Sequence, residues 1–391
     1  MKQNASRSMV LEIMTEFANQ TGLSPATKVP RRYLWTDAFA VCNFLELYRQ
    51  TTDEKYKNLA LRLVDQVHNI LGRHREDDPR TGWISGLDEK EGKIHPTKGG
   101  LRIGKQMNER RSADPFDERL EWDRDGQYYH YLTKWMHALN RVSRVTGDET
   151  YTRLAIELAK TAHDTFTYVP LSGGQKRMYW KMSIDLSYPL VESMGHHDPL
   201  DGFITYQQLQ ASGAKHFENS EWPDLKAEIT DMATICEGKS WATDDPLGLG
   251  GLLCDSFRVA RLVTNENFEQ TDLLEILLNF SLLGLESYTR NNSLKLPAEY
   301  RFAFRELGLS IGLRAVDKLQ ELIEENPGLF NNNRHLRTLS ETLAGYTALI
   351  EVIENFWLEP TSREVTSWTE HRDINMVMLA TSLSPDGYLT I

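Results

Sequence analysis

Cysteine is scarce in this sequence. The three present, Cys42, Cys236 and Cys254, stand far apart and none has a CxxC neighbour. Each falls on an apolar helical stretch, where a thiol behaves as a small hydrophobe. That spacing argues against a disulfide framework and against a cysteine zinc site. Positive charge is also in deficit, with 44 Lys and Arg against 56 Asp and Glu and a net charge of −12. Such a surface repels phosphate backbones and acidic membranes, and the pairs Arg31-Arg32 and Arg110-Arg111 are isolated. Nucleic acid is not an expected partner. No stretch reaches the roughly 18 apolar residues of a membrane span, so no membrane partner is expected either. The opening MKQNASRSMVLEIMTEFANQ lacks the apolar run and small-residue cleavage site of a secretory signal. A cytoplasmic protein is expected.

Diagnostic motifs are missing too. There is no P-loop, no GxGxxG after a strand, no GxSxG elbow, no HExxH and no DDxxD run. His196-His197-Asp198 offers metal-ligand side chains without a diagnostic ligand spacing. Neither a metal nor another cofactor is expected.

What the chain does have is apolar and aromatic mass, 40% and 10% of its 391 residues, laid out as an alternation of two helix types. From 33 to 50, Leu34, Phe39, Ala40, Val41, Cys42, Phe44, Leu45, Leu47 and Tyr48 cover nearly all faces of a helix, which must then be buried all round. After the turn Thr51-Thr52-Asp53-Glu54, Tyr56, Leu59, Ala60, Leu63, Val64, Val67, Ile70 and Leu71 form one stripe. That second helix covers a core on one side and meets water on the other.

The pair returns at 127–146, followed by the turn Thr146-Gly147-Asp148-Glu149 and a stripe from Tyr151 to Phe166. Gly147 suits a helix C′ position and Asp148 can cap the next helix. Less regular pairs follow at 203–212 with Trp222 to Cys236, at 247–263 with Leu273 to Leu285, and at 301–323 with Leu336 to Trp357. Two helices are left over, one striped by Met9, Val10, Ile13, Met14 and Phe17, the other near 371–381. If they pair with each other, the chain closes as six hairpins. Few segments show strand alternation, and those most open to a strand reading lie at 81–104 and 168–184. Length alone suggests two or three domains, but this pattern favours one domain over 1–391. An open solenoid would need a fixed period, which the long segment Glu76 to Asp125 breaks.

The fragments Trp35-Thr36-Asp37-Ala38-Phe39 and Thr146-Gly147-Asp148-Glu149-Thr150-Tyr151 carry a likeness to a known architecture. An inner helix, a Thr-Gly-Asp turn and an outer helix opening on Tyr resemble the repeat of the six-hairpin (α/α)6-barrel enzymes. Those include unsaturated glucuronyl hydrolases, other glycoside hydrolases and N-acylglucosamine 2-epimerases. The resemblance implies an all-α (α/α)6 toroid and a tendency toward sugar chemistry. It singles out no family, and a shared fold is weak evidence for a reaction.

In such a ring the inner helices' N-termini, with unpaired N–H groups and partial positive charge, gather at one mouth. The residues there are Trp35 and Asp37; Glu121 to Asp125 with Tyr128, Tyr129 and His130; Glu192 and the run Gly195 to Gly202; Asp244, Asp245 and Asp255; Glu299, Arg301 and Arg305; and Trp368, Glu370 to Asp373 and Asn375. Aromatic faces stack on a pyranose while carboxylates and Arg bond its hydroxyls. The expected function is a glycoside hydrolase acting on a small or acidic saccharide, with Asp37 and Asp125 as acid/base carboxylates. His196, His197 and His371 would orient substrate or move protons. Trp35, Trp122, Asp123, Tyr128, Tyr129 and Asp373 would bind substrate, and Arg301 would meet a sugar carboxylate.

Two alternatives stand beside it. One is a sugar 2-epimerase or isomerase with His196 and His371 as the acid/base pair. The other is a non-catalytic ring that binds a saccharide or a protein. Duller roles exist for each residue: Asp37 suits any helix first turn, Tyr128 and Tyr129 suit inner-wall packing, and His371 beside Asp373 suits a core ion pair.

Overall fold

The structure, a computed structural model, describes residues 2–214, 222–265, 268, 270–330 and 333–390. Its helices run in chain order α1 (Lys2–Gln20), α2 (Leu34–Thr51), α3 (Glu54–Leu71), α4 (Glu89–Ile94), α5 (Glu118–Asp123), α6 (Tyr129–Thr146), α7 (Thr150–Phe166), α8 (Asp198–Gly213) and α9 (Lys226–Cys236). They continue as α10 (Pro246–Asn265), α11 (Thr271–Arg290), α12 (Ala303–Glu325), α13 (Pro327–Phe330), α14 (Arg334–Ala344), α15 (Ala348–Leu358), α16 (Thr366–Thr369), α17 (Arg372–Leu383) and α18 (Asp386–Leu389). The chain divides into two compact units, residues 18–237 and residues 1–17 with 238–390.

In the first unit α2 pairs with α3, α6 with α7 and α8 with α9, while α6 packs on both α2 and α8. Every residue of α2 from Leu34 to Leu47 is buried, as its all-round apolar surface requires. By contrast α3 buries one stripe, Tyr56, Ala60, Leu63, Val64, Val67, His68 and Leu71. Each buried Leu or Val there contributes about 1.5–3 kcal/mol relative to exposure. His68 was not foreseen in that stripe. Burial pushes its pKa down to about 3, so it stays neutral and accepts a hydrogen bond from Trp135 Nε1 at 3.2 Å.

The turns behave as their residues demand. Thr52 and Gly147 close α2 and α6 at φ 56° and 76°. Asp53 accepts from Lys55 N at 3.0 Å and Asp148 from Thr150 N at 3.0 Å, each satisfying an otherwise orphaned donor.

Short strands appear where the loops must be pinned. β1 (Gln127–Tyr128), β4 (Lys181–Met182) and β5 (Pro189–Val191) form an antiparallel sheet in the order β1-β4-β5, while β2 (Thr167–Tyr168) pairs with β3 (Arg177–Met178). Gly126 is essential to the first sheet: at φ 145°, a Cβ there would lie 2.7 Å from Met182 O. The doubtful segment 81–104 instead holds α4 and one bridge between Trp83 and Arg73.

The second unit packs α12 against both α10 and α17, with α11 on α10 and both α14 and α15 on α12. The two leftover helices do meet. Ser6 Oγ donates to Leu383 O at 2.9 Å and Arg372 pairs with Glu16, so α1 and α17 run antiparallel. One expectation differs. The stripe from Leu336 to Trp357 is two helices, because Gly345, Tyr346 and Thr347 bond to the third residue back and tighten the chain into a turn. No helix among the described residues is long and apolar enough to cross a membrane.

Candidate functional site

Within residues 18–237 the starts of α2, α6 and α8 meet. Trp35 in the first turn of α2 lies 5.9 Å from His130 in the first turn of α6, centroid to centroid. His130 Nδ1 in turn lies 3.6 Å from Oδ1 of Asp198, the first residue of α8. The pairing of β1 with β4 adds Trp180: Tyr129 N donates to Trp180 O at 3.5 Å and Trp180 N to Val191 O at 3.2 Å. The Trp180 ring then stacks near His130 at 6.3 Å and 15° and sits 5.2 Å from Tyr128. Tyr131 closes the wall 4.9 Å from His130 and 5.3 Å from Trp35. Trp122, half exposed, extends it outward 5.4 Å from Trp180.

Three polar atoms in this wall are buried and have no hydrogen-bond partner in the chain: Trp35 Nε1, His130 Nδ1 and Asp198 Oδ2. Leaving a buried polar group unpaired costs about 1–3 kcal/mol. Several together at the joined ends of three helices mark a place that a polar ligand completes.

The scaffold behind them is, by contrast, fully bonded. Gln127 accepts from Leu101 N at 2.8 Å and donates to Gly99 O and Ile184 O at 3.0 and 2.7 Å. Lys181 Nζ donates to the carbonyls of Glu121 and Arg124 at 2.7 and 2.8 Å and approaches the Tyr128 ring at 5.4 Å. Burial lowers its pKa to about 8, with Glu121 opposing the shift. Tyr33 and Tyr131 share a hydroxyl–hydroxyl bond of 2.8 Å, and burial pushes Tyr33 up to about 12, so it stays protonated at neutral pH.

The sequence-derived residues divide between the units. Trp35, Trp122 and Tyr128 stand in the wall just described. Asp123 is exposed. Tyr129 points into the core, its hydroxyl donating to Tyr206 at 2.9 Å. His196 and His197 lie just before α8 with rings 4.6 Å apart, His196 exposed and His197 half-buried. Asp37 accepts from Tyr33 N at 2.9 Å and pairs with buried Arg32 at 3.4 Å. Asp125 pairs with Arg102 and Arg75 at 2.9 and 3.2 Å and accepts from Gly104 N and Gly126 N at 2.9 and 3.1 Å.

In the other unit, His371 sits 5.5 Å from Phe304 and 6.1 Å from Phe302, with half-buried Asp373 following it in the first turn of α17. Arg301 is buried, bonded to Glu306 at 2.6 and 2.8 Å and stacked 3.6 Å from Phe356. Its cationic fork is thereby occupied by a carboxylate of its own chain. His130 and Asp198 stood among the mouth residues without being chosen, and Trp180 gave no sequence signal because strand pairing brings it in. Among the described residues no cluster of His, Cys, Asp or Glu could hold a metal ion.

No family model matches the chain, and no curated protein matches it. Among solved structures it is similar to a sugar epimerase from a ruminal bacterium, at 9% identity over 98% of both chains with a TM-score of 0.52. It also matches the cellobiose 2-epimerase of Spirochaeta thermophila, at 12% identity over 96% of this chain and 98% of that one, with a TM-score of 0.47. The hydrolase expectation is corrected on these findings. The neighbour with a TM-score of 0.52 carries the name of a sugar epimerase, and both carboxylates assigned to bond cleavage are held by arginines. The likeness to the ruminal protein shows the fold, the all-α six-hairpin class that the repeat of inner and outer helices led us to expect.

Proposed function

We propose that the chain is a sugar epimerase or isomerase that acts on a saccharide at the aromatic wall of residues 18–237. The observation that carries this is the set of unpaired polar atoms, Trp35 Nε1, His130 Nδ1 and Asp198 Oδ2, within a wall of indole, phenol and imidazole rings. Ring faces suit the C–H face of a pyranose, and unpaired donors and acceptors suit its hydroxyls. The shared fold with a protein named as a sugar epimerase supports the same reading.

Inverting a carbon beside a carbonyl needs one group to remove a proton and one to return it on the opposite face. Histidine fits that work near neutral pH. His196, expected from the sequence and lying just before α8 within residues 18–237, is one candidate for it. Asp123, Tyr129 and His197 are proposed to support the site from within the same residues 18–237. Residues 1–391 are proposed to act as one functional domain in the cytoplasm, where three cysteines far apart in sequence stay reduced.

The test is incubation with a panel of reducing mono- and disaccharides, followed by proton NMR of the anomeric signals. A second sugar of unchanged size should accumulate to an equilibrium ratio. Fragments, or no change with any member of the panel, would contradict the proposal.

A further inference from the structure

We propose that His130 takes the proton from the reacting sugar carbon and that Asp198 positions it. This rests on the epimerase reading above. His130 is boxed by Trp35, Tyr128, Tyr131 and Trp180, with centroids 4.9–6.3 Å away, so its ring plane is fixed. Its side chain is 26% exposed although Nδ1 is buried, so the reachable part of the imidazole is the remainder of the ring. Nδ1 faces Asp198 Oδ1 at 3.6 Å, which is an approach and not a hydrogen bond. A purely structural pair would be closed. This one is open, and Oδ2 of the same carboxylate is also unpaired although Asp198 is 5% exposed.

The sequence keeps room for the pair. A Cβ on Gly195 would lie 2.3–2.5 Å from the Asp198 carboxylate atoms, so any larger residue there displaces the group. When Asp198 accepts Nδ1–H, the imidazole is held in the tautomer whose Nε2 is the free base.

The step balances without an oxidant or water. The C–H bond beside the carbonyl of an open-chain sugar breaks, and its electron pair moves into the bond toward the carbonyl carbon. The carbonyl oxygen gains the charge as an enediolate, and the proton bonds to Nε2 to give an imidazolium facing the Asp198 carboxylate. The C–H bond re-forms when an acid returns a proton to the carbon.

The experiment compares His130→Gln, His130→Ala and Asp198→Asn with the wild type on the saccharide that the wild type converts. If the wild type converts none, the epimerase reading fails, and this inference with it. Given conversion, His130→Gln should lower kcat about 100-fold or more with KM changed less than about 3-fold. Asp198→Asn should lower kcat about 10- to 100-fold, again without a large change in KM. Free imidazole should restore part of the activity of His130→Ala, a rescue that loss of folding would not allow. An active wild type together with a His130→Gln variant at full kcat overturns the inference, as does a loss confined to KM or an absence of imidazole rescue.

Discussion

Lys181 Nζ lies 3.3 Å from the Glu121 carboxylate, with the lysine fully buried. Burial is the larger influence on this ammonium and lowers its pKa to about 8 from 10.5. Between those values the unfolded chain holds more protons than the folded one, so this group makes stability rise with pH. Lys181→Met should cost on the order of 3 kcal/mol, because it strands a buried carboxylate and two carbonyls. The gap in melting temperature between wild type and Lys181→Met should widen from pH 8 to 10. A gap that narrows over that range would contradict the assignment.

Asp125→Asn should act on folding before it acts on turnover. The carboxylate joins Arg75 to Arg102, both of them largely buried, and removing one partner of a buried ion pair costs about 3–5 kcal/mol. Urea unfolding should show a lower midpoint with an unchanged slope. Native stability combined with abolished activity would return Asp125 to a chemical role.

Trp122→Ala should do the opposite. The ring is 49% exposed, so its loss should move stability by less than about 0.5 kcal/mol. Stacking on a sugar contributes about 0.5–1.5 kcal/mol, which corresponds to KM or Kd rising about 2- to 10-fold. Titration of the folded variant with the accepted saccharide checks this. Unchanged affinity would remove Trp122 from the site.

Arg301→Ala should destabilise the second unit without altering any preference between neutral and acidic sugars. Its guanidinium holds Glu306, which also accepts from Trp357 Nε1 at 2.8 Å. The loss should be about 3–5 kcal/mol in thermal or urea unfolding. A selective loss of acidic substrates at native stability would contradict this.

The helices were legible because their signal is local. All-round burial in Leu34–Leu47 and the single stripe of α3 follow from spacing alone, as do Gly147 and Asp148 in their turn. The break at Gly345 was hidden because the apolar stripe continues across it in register. The site was only partly legible. Trp35 and Tyr128 announce themselves by type and position, but an aspartate at a helix start looks the same whether it faces a cavity or an arginine. Asp37 and Asp125 face arginines brought by contacts 5, 23 and 50 residues distant, and Asp198 faces His130. Trp180 entered through strand register, which a two-residue strand does not reveal in advance.

The most direct measurement is the mass of the sugar recovered after reaction in deuterium oxide. Proton removal and return at one carbon predicts an isomer heavier by one deuterium at a non-exchangeable position, with the starting sugar's skeleton intact. Recovery of every tested sugar without deuterium on carbon, or as pieces that have gained the elements of water, would contradict the account.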